Sequence, residues 1–409
     1  MSPASLPLAG VRVLECCHFI AGPRCTQLMA DHGADVIKLE PLAGDPSRSS
    51  PPVRDGWSMY FAAHNRRKRS VAADLKSPAG QEILKKLIGW ADVLVTNYTP
   101  GASERLGLAY EQAKAINPRL VVVRISAYGL TGPDRDKPGF DGTVQARSGL
   151  AHMTGPEDRP PTVTSFPMVD FLVAVEGAYA AMLGLRTRDA TGVGTEIDVS
   201  MMDSAAPLLA YLYSEVLVGG QDPIRTGSRA PYALTGAYPT ADGFLYIAPI
   251  GEAPWRRLAE LIGRPEWGER GADYTHPQRR LENRDLIEDQ IGGWTKTLTS
   301  ARLTEVLEAA GIPCGVVNTV RQAAESSMMA DRHMLEWVGL GRSQTKVPMP
   351  GVELKVAGEA SLADAPTVPE LGAHTDDVLA ELGIDAETVA RWAADGSIRN
   401  AVAKGQEPD

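Results

Sequence analysis

The feature that most constrains this chain is a run from Met168 to Leu185, M-V-D-F-L-V-A-V-E-G-A-Y-A-A-M-L-G-L. Ala, Leu, Met and Val fall on almost every helical face, and only Asp170 and Glu176 break the pattern. A helix apolar all round leaves no face for water and must be buried inside a larger body. A Pro-rich loop ends at Pro167, which puts Asp170 in or just before the first turn. The helix dipole and the unpaired N–H groups there favour an ionised carboxylate. Two roles suit such a residue: an N-cap, or a carboxylate nucleophile at the bottom of a cleft. This stretch leaves both open.

A chain of 409 residues exceeds one ordinary core, so two domains are expected. No run is read as reaching the length of a membrane span, and the opening residues lack a basic region followed by an apolar stretch. Neither a membrane partner nor a secretory signal is expected, and the implied location is cytoplasmic. Cys16, Cys17, Cys25 and Cys314 show no zinc or disulfide spacing. They read as small buried hydrophobes in a reducing compartment, with no metal site. A formal net charge of −10 argues against a nucleic-acid partner.

Before the Asp170 helix, strand-like and helix-like segments alternate. Strands are read at Val11–Cys16, Ala34–Leu39, Ser70–Leu75, Ala91–Thr96 and Leu120–Ser126. Helices are opened by Pro23, by Ser77-Pro78 and near Tyr110. This is the pattern of an α/β fold with a parallel sheet, which binds ligands at the carboxyl ends of its strands. The first turn lacks G-x-G-x-x-G and there is no G-x-x-x-x-G-K-[ST], which disfavours nicotinamide, flavin and ATP sites of those kinds. N-R-R-K-R-S, Asn65–Ser70, holds four consecutive cations that form either a solvated face or a local phosphate site. Beyond about Asp222 the texture changes, with a hairpin turn at Asp242-Gly243 and then several helices. The expected organisation is a large domain begun by residues 1–200, a linker helix at 201–224, a small α+β domain at 225–325, and a return to the large domain at 326–409.

Several segments resemble one family when taken in order. They include A-G-P-R-C-T-Q-L-M-A-D-H-G-A-D-V-I-K-L-E, N-R-R-K-R-S, D-V-L-V-T-N-Y-T-P-G-A, S-A-Y-G-L-T-G-P, K-P-G-F-D, the Asp170 helix, T-G-V-G-T-E-I-D-V-S-M-M-D and G-I-P-C-G-V-V. The family is the class III coenzyme A transferases, of formyl-CoA or carnitine-CoA transferase type, which also includes the α-methylacyl-CoA racemases. The resemblance implies a Rossmann-like large domain, a smaller α+β domain and an interlocked homodimer. It implies acyl-CoA and a carboxylic acid as substrates, with no metal, nicotinamide or flavin.

By the same resemblance Asp170 is the nucleophile that carries first an acyl anhydride and then a CoA thioester, and Gln145 belongs to the oxyanion region. His18, Phe19, Ile20 and Ala21 match the loop whose backbone contacts the coenzyme. Arg67, Ala73, Lys76, Asn97, Tyr98, Arg105 and Lys137 match coenzyme-contacting positions. Two departures stand out. Pro41 replaces a basic residue, a phosphate contact for which Arg66, Arg67 or Arg69 could substitute, and Arg229–Gly236 replaces the glycine-run lid of the oxalate-specific branch. Racemases carry G-H-D where this chain has G-F-D, and Phe140 cannot move a proton. A non-catalytic acyl-CoA-binding paralogue is the third reading.

Overall fold

The computed structural model describes residues 6–269, 273–356 and 366–400. The first residues of the chain, and the parts of the C-terminal segment at 357–365 and 401–409, lie outside the described residues. Two compact units are formed. The first gathers the described residues of Met1–Ser148, Thr164–Ala210 and Ser327–Asp409, and the second those of Gly149–Val163 and Tyr211–Ser326. The stretch read as one helix from Met201 is interrupted by a 3-10 turn at Ala206–Leu209, where Pro207 offers no N–H to an α-helical ladder.

The first unit is built on β1 (Arg12–Cys16), β2 (Asp35–Glu40), β3 (Lys68–Ala73), β4 (Val93–Thr96), β5 (Val121–Ser126), β6 (Glu196–Ser200) and β7 (Ile398–Arg399). Their order is β7-β3-β2-β1-β4-β5-β6. All neighbours pair in parallel except β7, which adds antiparallel to β3. Strands such as V-L-V-T and V-V-V-R are apolar at successive positions because helices cover both faces of the sheet. The run from β3 to β6 is the doubly wound order, which reverses between β1 and β4 and opens a crevice at their carboxyl ends.

The helices that matter to the crevice are α1 (Ala21–Ala30), α2 (Met59–Asn65), α3 (Pro78–Trp90), α4 (Pro100–Leu106), α5 (Asp141–Ser148) and α6 (Met168–Thr191). Helix α6 runs 24 residues to a left-handed Gly192, and by length and composition it could cross a membrane. This corrects the sequence reading that no run is long enough: the helix extends a further turn and a half beyond Leu185. It lies close against β5 and α1. A Cβ on Gly184 would meet Val121 at 2.3 Å, and one on Gly177 would meet Ile125 at 3.0 Å, so glycine sets the approach. Glu176 accepts a hydrogen bond from the Ser204 hydroxyl. The all-round burial expected of this helix is not complete, because Phe171, Val175, Tyr179 and Leu183 form an i, i+4 stripe that stays exposed in the chain.

The cation run is neither a solvated face nor a free phosphate site. Arg66 is fully buried and donates to both oxygens of Asp31, at 2.9 and 2.6 Å. Arg69 pairs with Asp35 and Glu381. Lys68 is buried against Glu15 at 2.7 Å, with further bonds to the Pro23 carbonyl and Asn65. Glu15 also takes Lys38 at 2.6 Å and the Thr26 hydroxyl at 2.5 Å, and Lys38 reaches Asp45 at 2.9 Å and the Cys17 carbonyl at 3.0 Å. Burial opposes ionisation of Glu15, but the two lysines hold its carboxyl below its usual range. Burial likewise lowers Lys68 to about 8, Glu15 being the chief opposing influence. Removing one partner from such a group strands the others in a low dielectric.

In the second unit the hairpin Gly236–Pro239/Phe244–Ile247 gains a third strand, Cys314–Val316. Helices Glu252–Leu261, Arg284–Thr295 and Ser300–Ala309 close a core that contains Trp255, Leu258, Ile287 and Leu303.

Glu15→Gln should lower stability by about 3–5 kcal/mol, because two buried ammonium groups lose their shared anion. Urea denaturation checks this, and a loss below about 1 kcal/mol would remove the cluster from its supporting place.

Candidate active site

Loops from three strands converge at the point where the strand order reverses. The loop after β1 carries Cys17 to Ile20, the loop after β4 carries Asn97 to Thr99, and the loop after β5 leads to α5. Asn97 clamps the first two together: its Oδ1 accepts from His18 N at 3.0 Å and its Nδ2 donates to the His18 carbonyl at 2.8 Å. Phe19 sits in the left-handed region at φ 64, where a non-glycine residue carries strain. Its N–H donates to Asp45 at 3.3 Å, and Asp45 is the residue that Lys38 holds from below.

An aromatic chain crosses this floor. Tyr98 and Phe19 each meet His18 edge-on at 5.2 Å, and Phe19 meets Phe140 at 5.8 Å. Burial lowers the His18 pKa from its usual value, so the ring is neutral at pH 7. Ile20 and Ala21 are buried where α1 begins.

Phe140 is followed by Asp141, which governs the start of α6. One Asp141 oxygen accepts from the N–H groups of Val169 and Asp170, at 2.6 and 3.0 Å. The N-cap position belongs to Pro167, which has no side chain able to cap. Asp170 therefore does not cap; Asp141, 29 positions upstream of it, does. The other Asp141 oxygen accepts from the Gln145 amide. Gln145 is fully buried; it also donates to the Thr164 hydroxyl at 2.8 Å and accepts from Thr164 N at 3.0 Å. Both ends of its amide are committed to holding Asp141 and the loop before α6, which leaves no donor for an oxyanion.

The Asp170 carboxylate is half-buried and, among the described residues, has no hydrogen-bond partner. Burial first, and the Asp141 charge second, push its pKa up to about 7. This corrects the expectation that the helix terminus keeps it ionised, because Asp141 already occupies the N–H groups that would have stabilised the charge. Tyr60 on α2 lies nearby, and its hydroxyl is raised to about 12 by burial and by the carboxylates of Asp170, Asp45 and Asp141. His64 packs edge-on to Tyr60 and Phe171, and burial with the Arg24 charge lowers it to about 3.

The remaining sequence candidates scatter. Ala73 is wholly buried and ladder-paired to Ile398. Arg67 lies 3.6 Å from Asp31. Lys76 and Arg105 are exposed and, among the described residues, form no ion pair. Lys137 is exposed and pairs with Asp134 at 2.6 Å, an attachment worth little in water. Sequence reasoning missed Asp141, Tyr60 and His64. The G-F-D motif contains Asp141, but no local pattern ties it to a helix begun 27 residues later. Among the described residues no group of three or more His, Cys, Asp or Glu could hold a metal ion.

The chain matches CoA-transferase family III over residues 8–375. It is similar to a succinyl-CoA–D-citramalate CoA-transferase of Chloroflexus aurantiacus, at 34% identity over 92% of this chain and 94% of that protein. It is similar to a mouse succinyl-CoA:glutarate CoA-transferase, at 33% identity over 92% and 86% of the two chains. Among solved structures, a CAIB/BAIF family protein from Brucella suis superposes with a TM-score of 0.81 at 30% identity, covering 92% of this chain and 99% of that one. The chain thus belongs to CoA-transferase family III and is an enzyme of coenzyme A transfer.

Proposed function

We propose that this enzyme moves coenzyme A from an acyl-CoA donor to a carboxylic acid through covalent intermediates on Asp170. The observation that carries the reading is the unpartnered Asp170 carboxylate at the first turn of α6, next to Asp141, whose neighbour Phe140 meets Phe19 of the loop after β1. An Asp170 oxygen attacks the thioester carbonyl; the C–S bond breaks, giving an aspartyl-acyl anhydride and CoA thiolate. The thiolate attacks the aspartyl carbonyl and releases the donor acid, leaving an aspartyl-CoA thioester. The acceptor carboxylate then runs the two steps in reverse. A carboxylate free of hydrogen bonds, with a raised pKa, is a better nucleophile than a solvated one.

The coenzyme would lie over Asn97, Tyr98 and the loop from His18 to Ala21, with Lys76, Arg105 and Lys137 as the exposed cations available to its phosphates. The relatives named for citramalate and glutarate suggest a succinyl-CoA donor and a dicarboxylic acceptor. Racemisation needs a second proton carrier. Phe140 is no carrier, and His64 is held neutral with a pKa of about 3. The exposed stripe Phe171–Val175–Tyr179–Leu183 supports the homodimer reading, in which a second copy covers it.

Intact-mass spectrometry of the chain with a turning-over acyl-CoA should find a CoA thioester sensitive to hydroxylamine, absent in Asp170→Ala. An unmodified chain during turnover would overturn the reading, as would α-deuterium incorporation without an acceptor acid. The donor step should rise with pH through about 7 as Asp170 ionises. In Asp141→Asn the neighbouring negative charge is gone, so that rise should move to lower pH by about half to one unit; an unmoved profile would deny Asp141 its influence. Sedimentation should find a dimer in wild type and a weakened one in Tyr179→Arg.

A further inference from the structure

The second unit contains a buried cation without a counter-ion. Four arginines are buried among the described residues: Arg24, Arg66, Arg124 and Arg280. The first three are paired, with Glu353, Asp31 and Glu196. Arg280 is only 6% exposed, and its side chain has neither a hydrogen bond nor an ion pair among the described residues. It lies 5.1 Å from the ring centre of Trp255. Trp255 is fixed in turn by stacking on Trp267 at 6.3 Å and by an N–H···O bond of 3.1 Å to the Trp267 carbonyl. A cation–π contact offsets part of the cost of burial but leaves the guanidinium N–H fork unfilled.

Arg280 lines a cavity of about 140 Å³, whose other walls include Tyr232, Leu234, Ile250 and Leu281. Gly251 borders the same cavity. It is the N-cap of the ten-residue helix Glu252–Leu261, has φ 97 and provides no side-chain cap. The first N–H groups of that helix thus lack a capping side chain, and the positive end of its dipole stands beside the guanidinium. Glu252 is the one acidic group acting on Arg280; it is exposed and forms no ion pair with it.

We propose that this cavity binds a carboxylate on a short aliphatic stem. The carboxylate oxygens take the Arg280 fork and the terminus of helix Glu252–Leu261, and the stem lies on Leu234, Leu281 and the Tyr232 ring. The planar guanidinium matches a carboxylate in two-point contact, and the apolar walls favour a stem over a fully hydrated ion. Every residue involved belongs to the second unit, so the site is independent of the Asp170 reading.

The test is calorimetric titration of butyrate, and separately of inorganic phosphate, into the full chain and into Arg280→Met and Ile250→Glu. Ile250 is 68% exposed at the cavity, so Ile250→Glu adds a competing carboxylate without disturbing the core and remains informative if Arg280→Met fails to fold. The expected result is millimolar butyrate binding that falls by about tenfold or more in both variants. Butyrate binding retained in Ile250→Glu, or absent from wild type at about 50 mM, overturns the site. Phosphate binding tighter than butyrate and lost in the same variants overturns the aliphatic stem.

Discussion

The first unit depends on one buried constraint, the sharing of Glu15 between Lys38 and Lys68 beneath the crevice. Neither lysine could be buried alone, and Glu15 could not be buried without them. Because Lys38 also grips Asp45 and the Cys17 carbonyl, the cluster fixes the loop after β1 from below. Asp45 then holds Phe19 in its left-handed conformation, and Asn97 ties His18 from the side. The strain at Phe19 is thus supported by the surrounding ion cluster and clamp.

The polar groups around Asp170 follow the opposite logic. Asp141 takes both N–H groups at the start of α6, and Gln145 and Thr164 hold Asp141. Each member of that chain has a partner, and the carboxylate next to it has none. A helix terminus normally stabilises an acid in its first turn by some tenths of a kcal/mol to about 1 kcal/mol. Here that stabilisation goes to Asp141, while burial and a neighbouring like charge act on Asp170. An acid kept from its usual partners titrates away from its ordinary range, the kind of perturbation that marks a candidate functional group.

The extent to which the sequence foretold this follows from the range of each interaction. The β/α alternation was legible because strands covered on both faces read as short Val and Leu runs, and the caps at Ser77 and Pro78 lie within one turn of what they cap. The cation run was misread because its partners, Asp31, Asp35 and Glu15, lie on neighbouring elements at sequence distances that no local pattern reports. The cap from Asp141 was hidden for the same reason. Gln145 was assigned to the oxyanion region from resemblance, and only its hydrogen bonds reveal an amide already in use. All-round hydrophobicity marked α6 as a buried helix, but it cannot tell a face covered within the chain from one left open.

Phe140 links these two halves of the site. It touches Phe19, which the ion cluster supports, and it precedes Asp141, which starts α6. A histidine there would place a titratable ring over the crevice, whereas phenylalanine supplies an apolar edge and no proton. The phenylalanine at this junction keeps an edge-on contact with Phe19 of the loop after β1. The two carboxylates of Asp141 and Asp170 stand side by side at the start of α6, and the pKa of Asp170 is raised first by burial and then by the neighbour that caps its helix.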